Sequence, residues 1–180
     1  WEDAIIKADE GIHLNWPRPY TRGRYWLGED PALKVNKNYL SNIEKLKAFV
    51  ENAKVYDLKQ NPAHLPYQAM KGLFNGTKTM YLHATDEKQI VDGISYLKEL
   101  GIDKIVLVGG NESPEQLKFI KEANIPVIVS RPHRLPDNED EDPKQSFKLA
   151  SQLIQAGILV SIDVSGRMER MYTRNLTFYA

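Results

Sequence analysis

Four short, nearly unbroken apolar runs recur along the later part of this 180-residue chain: TMYLH (79–83), KIVLV (104–108), IPVIVS (125–130) and ILVSID (158–163). Runs this short and this continuous suit strands covered on both faces, as in parallel sheets. The intervening segments carry helical spacing. Ile90, Val91, Ile94, Leu97 and Leu100 repeat every three to four residues and stop at Gly101. Ser113-Pro114-Glu115-Gln116 has the chemistry of a helix start, leading through Leu117 and Ile120 towards Asn124. A third helix is expected from Asp142-Pro143 through Phe147, Ala150, Leu153 and Ile154 to Gly157. Strand and helix therefore alternate as βαβαβαβ. The fold class is α/β with parallel strands and right-handed crossovers, either part of a TIM-type barrel (strands 5–8) or an open Rossmann-like sheet.

Residues before 79 read differently. A helix is expected at 41–58, opened by the capping box Ser41-x-x-Glu44, and a shorter one from His64 to Phe74, ending at Asn75-Gly76. The stretch NWPRPYTRGRYWLGEDP has no period and reads as a surface loop, which divides the chain into an irregular N-terminal arm (1–40) and a parallel α/β domain (41–180). Its aromatic and basic residues invite a nucleic-acid reading. However, Lys plus Arg equals Asp plus Glu at 24 each, so no net field favours nucleic acid or an anionic membrane. The acidic run LPDNEDEDPK (135–144) lacks the glycine and terminal glutamate of a calcium loop and reads as solvated. No cysteine is present to ligate a metal, and no apolar run spans a bilayer. Soluble chains in the cytoplasm and exported ones both fit this composition. The start WEDAII, neither initiator Met nor signal peptide, reads as a processed or excised chain.

In parallel α/β folds chemistry gathers beyond the carboxyl ends of the strands. The four runs deliver His83, then Gly109-Gly110-Asn111-Glu112, then Ser130-Arg131-Pro132-His133, then Asp163 to that rim. His83 is either a hydrogen-bonded structural histidine or a ligand and proton carrier. Gly110 and Glu112 sit in a loop that either cradles an anion on backbone N–H groups or is a plain tight turn. Arg131 and His133 are candidates for clamping a substrate carboxylate. Asp163, after an apolar strand, suits metal ligation or general-base work.

Three stretches together resemble the amidohydrolase superfamily in its imidazolonepropionase-like branch: NPAHLPYQAMKGLFNGTKTMYLHATDEKQI, IDKIVLVGGNESPEQLKFIKEANIPVIVSRPHRLPDNEDED and LIQAGILVSIDVSGRMERMYTRNLTFYA. The resemblance covers about residues 41–180 and falls on the later half of the catalytic (β/α)8 barrel. It implies a hydrolase of C–N bonds in amides or cyclic amidines that uses a divalent metal such as zinc. By that likeness His83 matches the strand-five histidine ligand and Asp163 the strand-eight aspartate, which ligates metal and shuttles the proton. By the same likeness His133 or Arg131 sits near the substrate, and Gly110 and Glu112 of the glycine loop remain substrate-binding candidates beside them. The family's strand-one His-x-His pair is absent and its strand-six histidine is replaced by Gly109-Gly110, while Ser165 competes with Asp163 for the alignment. The expectation is a barrel fragment, inactive by itself, with no tightly bound metal and with sheet edges open to a homodimer.

Overall fold

The structure is a computed structural model that describes residues 7–30, 32–56, 63–130, 132 and 142–163. Its elements run β1 (Gly11–Asn15), β2 (Tyr20–Arg22), β3 (Leu33–Val35), α1 (Tyr39–Val55), α2 (Leu65–Phe74), β4 (Thr79–Ala84), α3 (Glu87–Glu99), β5 (Ile105–Gly109), α4 (Leu117–Glu122), β6 (Val127–Ser130), α5 (Gln145–Gln155) and β7 (Val160–Asp163). The expected strands and helices at 79–163 all form, each within a few residues of the sequence boundaries. Five strands make one parallel sheet in the order β1-β4-β5-β6-β7, while β2 and β3 pair antiparallel as a separate hairpin.

The N-terminal part corrects the sequence reading. Residues 11–15 are not part of an irregular arm: they form the edge strand of the main sheet, registering Gly11 to Asn15 against Thr79 to His83. GIHLN alternates apolar Ile12 and Leu14 with polar His13 and Asn15, the period-two signature of a strand with only one covered face. The long helix also starts earlier than Ser41. Its N-cap is Asn38 without a side-chain cap bond, so the Ser41–Glu44 box lies inside the helix and does not open it. Asp86 caps α3, through a full capping box with Gln89. Ser113–Gln116 forms a 3-10 turn before α4 begins at Leu117. The α2 helix is capped by the His64 ring, which accepts from the Tyr67 N–H.

Register sorts the side chains onto two unlike faces. Leu14, Leu82, Leu107, Val127 and Val160 align across the sheet on one face. These pack with Val50, Met70, Leu73, Ile90, Ile94, Leu97, Ile120, Leu149 and Leu153 from all five helices into the core. Helix α3 comes close to the sheet at Gly93, where a Cβ would stand 2.9 Å from a Leu82 methyl. Among the described residues, the opposite face contributes nothing to that cluster. Right-handed crossovers laid in one direction put every helix on the same side, and a doubly wound sheet would need a reversal of strand order that this sheet lacks.

Candidate functional site

The helix-free face carries Asn15, His83, Val108, Ile128 and Ser161 in one row and His13, Tyr81 and Val106 in the row below. Because Asn15 lies directly opposite His83, His13 is the diagonal neighbour of His83 on the same face, within reach of a long side chain. The two imidazoles meet, His13 Nδ1 to His83 Nε2 at 2.8 Å. The His13 ring stacks on Tyr81, with centroids 4.8 Å apart and planes 12° from parallel. His83 is half-buried, and its pKa lies below the ordinary 6.5: burial is the main cause, the neighbouring His13 adds to it, and the Asp163 carboxylate opposes both. Thus β7 and β4, though three strands apart in the sheet order, bring a carboxylate and an imidazole into electrostatic contact.

The rim is built by backbone bonds between consecutive strand ends. The Trp16 N–H donates to the His83 carbonyl (3.1 Å), and Gln89 Nε2 donates to the carbonyls of Trp16 (2.7 Å) and Pro17 (3.2 Å). The chain then leaves β1 as the β2–β3 hairpin, whose six strand residues are all exposed.

The glycine loop does not present the anion cradle that Gly110 suggests. Gly110 N–H donates to Ala84 O (2.8 Å), Glu112 N–H to Thr85 O (3.0 Å) and Ser113 N–H to Gly110 O (3.0 Å). Three N–H groups of the loop are therefore spent on carbonyls. Gly109 (φ +104°) turns the chain where a Cβ would stand 2.9 Å from Ala84 O. Glu112 accepts from the Glu87 N–H at 2.8 Å, closing the first turn of α3. A cavity of about 330 Å³ opens beside it, lined by Tyr20, Asp86, Glu87, Lys88, Val91, Asp92 and Glu112. The carboxyls of Asp86 and Glu112 are both pushed up, chiefly by desolvation. An acid-walled cavity of this kind repels anions, and neither His83 nor Asp163 lines it.

Of the residues singled out in the sequence, His83 and Asp163 thus share one face, whereas Gly110 and Glu112 belong to the turn and the cap of α3. Arg131 and His133 lie outside the described residues, as does most of the 135–144 acidic run. His13 was missed. Its signal was the alternation in GIHLN, which places it on the polar face of a strand that the aperiodic segment after it disguised.

The comparisons come from structure alone. No family model matches the chain, and no curated protein matches it. The crystal structure of an amidohydrolase from Thermotoga maritima matches with a TM-score of 0.66 at 16% identity, covering 89% of this chain. The fold is amidohydrolase-like. The match covers only 43% of that amidohydrolase, so this chain spans less than half of its length.

The divalent metal that the sequence resemblance implies would need a set of donor side chains. Among the described residues no group of three or more His, Asp or Glu side chains stands close enough to hold an ion. A zinc site takes three or four protein ligands. Two touching imidazoles and one carboxylate felt at a distance do not fit a tightly held catalytic metal.

Proposed function

We propose that this chain is the later half of an amidohydrolase (β/α)8 barrel of the imidazolonepropionase-like branch. The complete protein hydrolyses C–N bonds in small amides or cyclic amidines, and residues 1–180 alone do not turn them over. The observation that supports this best is the face of the sheet that the described helices leave out of their core. Five parallel strands in chain order, with the described helices on one side, leave His13, His83 and Asp163 where a closed barrel has its interior and mouth. In an open two-layer protein that face would be polar throughout; here it also carries Tyr81, Val106, Val108 and Ile128.

In this reading His83, its pKa held below the ordinary range, presents a neutral imidazole at neutral pH. Asp163 supplies a carboxylate able to accept a proton from an attacking water. The family's metal would polarise the scissile carbonyl, and the described residues of this chain do not form a ligand set that would seat it.

Titration calorimetry with zinc on the purified chain tests the proposal. Weak, non-saturating heats at micromolar zinc are expected, together with no hydrolysis across a panel of amides and cyclic amidines. Sub-micromolar zinc affinity or turnover by the chain alone would reject the fragment reading. The reading frame upstream of Trp1 should encode a strand ending in His-x-His; an unrelated domain there would reject the lineage.

A further inference from the structure

The histidine pair has a consequence for the chemistry of His83, and it rests on the reading of His83 as a residue of the mouth. Two neutral imidazoles at 2.8 Å need one N–H and one lone pair between them. In one arrangement His13 Nδ1–H donates to His83 Nε2, which forces both rings to carry their proton on Nδ1. In the other, His83 Nε2–H donates to the His13 Nδ1 lone pair, and both rings then hold the Nε2–H form that free histidine prefers. The second arrangement needs no unfavourable tautomer on either ring.

We propose that His13 is a positioning residue, held by its stack on Tyr81, which fixes His83 as the Nε2–H tautomer and leaves His83 Nδ1 as its one basic atom. The stack defines the plane in which the His13 lone pair points. The tilt of 39° between the two histidine rings, with centroids 5.1 Å apart, is that of an in-plane nitrogen contact rather than a ring stack. His83 Nδ1 has no hydrogen-bond partner among the described residues, so it is the nitrogen left to meet a substrate, a proton or an ion. The device resembles the way a second group orients a reacting imidazole in general, here with a histidine in the place of a carboxylate or carbonyl.

Ring ¹⁵N shifts read tautomers directly. On the whole chain labelled in histidine, at alkaline pH where the ring shifts no longer change with pH, His83 Nε2 is expected to be pyrrole-like and Nδ1 pyridine-like. A nitrogen–nitrogen coupling should connect His83 Nε2 to His13 Nδ1. His13→Leu should abolish the coupling and draw the two His83 shifts together as the second tautomer appears. His13→Asn, whose side-chain oxygen can accept the same proton, should restore their separation. A pyridine-like Nε2 in the wild type, or His83 shifts unchanged in His13→Leu, would overturn the proposal. Backbone amide shifts of β4 and β5 identify any variant that has merely lost its fold, and Tyr81→Leu then supplies an independent loosening of His13 with the same expected direction. Because no step of this test involves turnover or metal, a failed hydrolase reading would leave its result standing, and the reverse.

Discussion

The sheet has two faces made from the same five strands, and they have been put to opposite uses. On one, alternate residues such as Leu82, Leu107 and Val127 are sealed under helices. On the other, their chain neighbours His83, Val106 and Ile128 lie outside that helix-packed core and are partly buried, with Val108 beside them buried. The same pleat supports a core and a site because side chains alternate at every residue. Stability should therefore live on the helix side, and variation on the other side should change chemistry at little structural cost. That division can be broken by experiment.

The largest effect is expected from Leu107→Ala. Leu107 is fully buried, and removing it leaves a cavity among Val127 and the helices, at a cost of about 2–5 kcal/mol. Val106→Ala, one residue away on the open face, should cost less than about 1 kcal/mol. Urea unfolding of the two variants decides the matter: equal losses would mean that the open face is as well packed as the clad one.

Next comes Gly109→Ala, at the point where the clad layer ends and the rim begins. The positive φ and the Ala84 carbonyl 2.9 Å from the new methyl both oppose it, and a loss of about 1–3 kcal/mol is expected by thermal or urea unfolding. The neighbouring α3 start should respond less. Asp86→Ala removes the side chain that accepts the Gln89 N–H and costs about 1 kcal/mol, whereas Asp86→Asn keeps an acceptor and should stay within a few tenths. If the two variants fall together, the charge of Asp86 matters and its cap does not.

How much of this was legible beforehand follows the same division. The helix-clad face wrote itself into the sequence as apolar runs, since parallel strands packed under helices on one side and lined with Val, Tyr and Ile on the other leave few polar gaps. TMYLH and KIVLV could be read directly for that reason. The edge strand β1 has fewer covered neighbours, needs only Ile12 and Leu14, and so offered a five-residue alternation next to a proline-rich segment. His83 and Asp163 were readable because each ends an apolar run. The His13 contact was not, because it joins residues 70 apart through a register that only the sheet defines. The same limit misplaced one helix start: Ser41 has capping chemistry, but Asn38 stands where the tertiary structure turns the chain.

The smallest effect, and the one that probes the open face most directly, is the pH dependence carried by His83. Its folded pKa is depressed below the ordinary 6.5, with burial as the first cause, His13 as the second and Asp163 acting against them. A depressed histidine means that, between the folded value and 6.5, the unfolded chain binds more protons than the folded one. Stability is then fully present above pH about 6.5 and declines as pH falls through the folded value, below which it levels off. His83→Gln should remove that portion of the decline and leave the curve above pH 7 parallel to the wild type. Asp163→Asn should move the His83 titration further down, since the carboxylate that raises it is gone, and His13→Leu should move it up. Ring-proton NMR against pH reads each shift. If His83 titrates at its ordinary value in the wild type, Asp163→Asn and His13→Leu alike, the face holding it is as open to water as a free peptide. The contrast between the two sides of the sheet would then be complete, and His83 would not be held neutral by its surroundings.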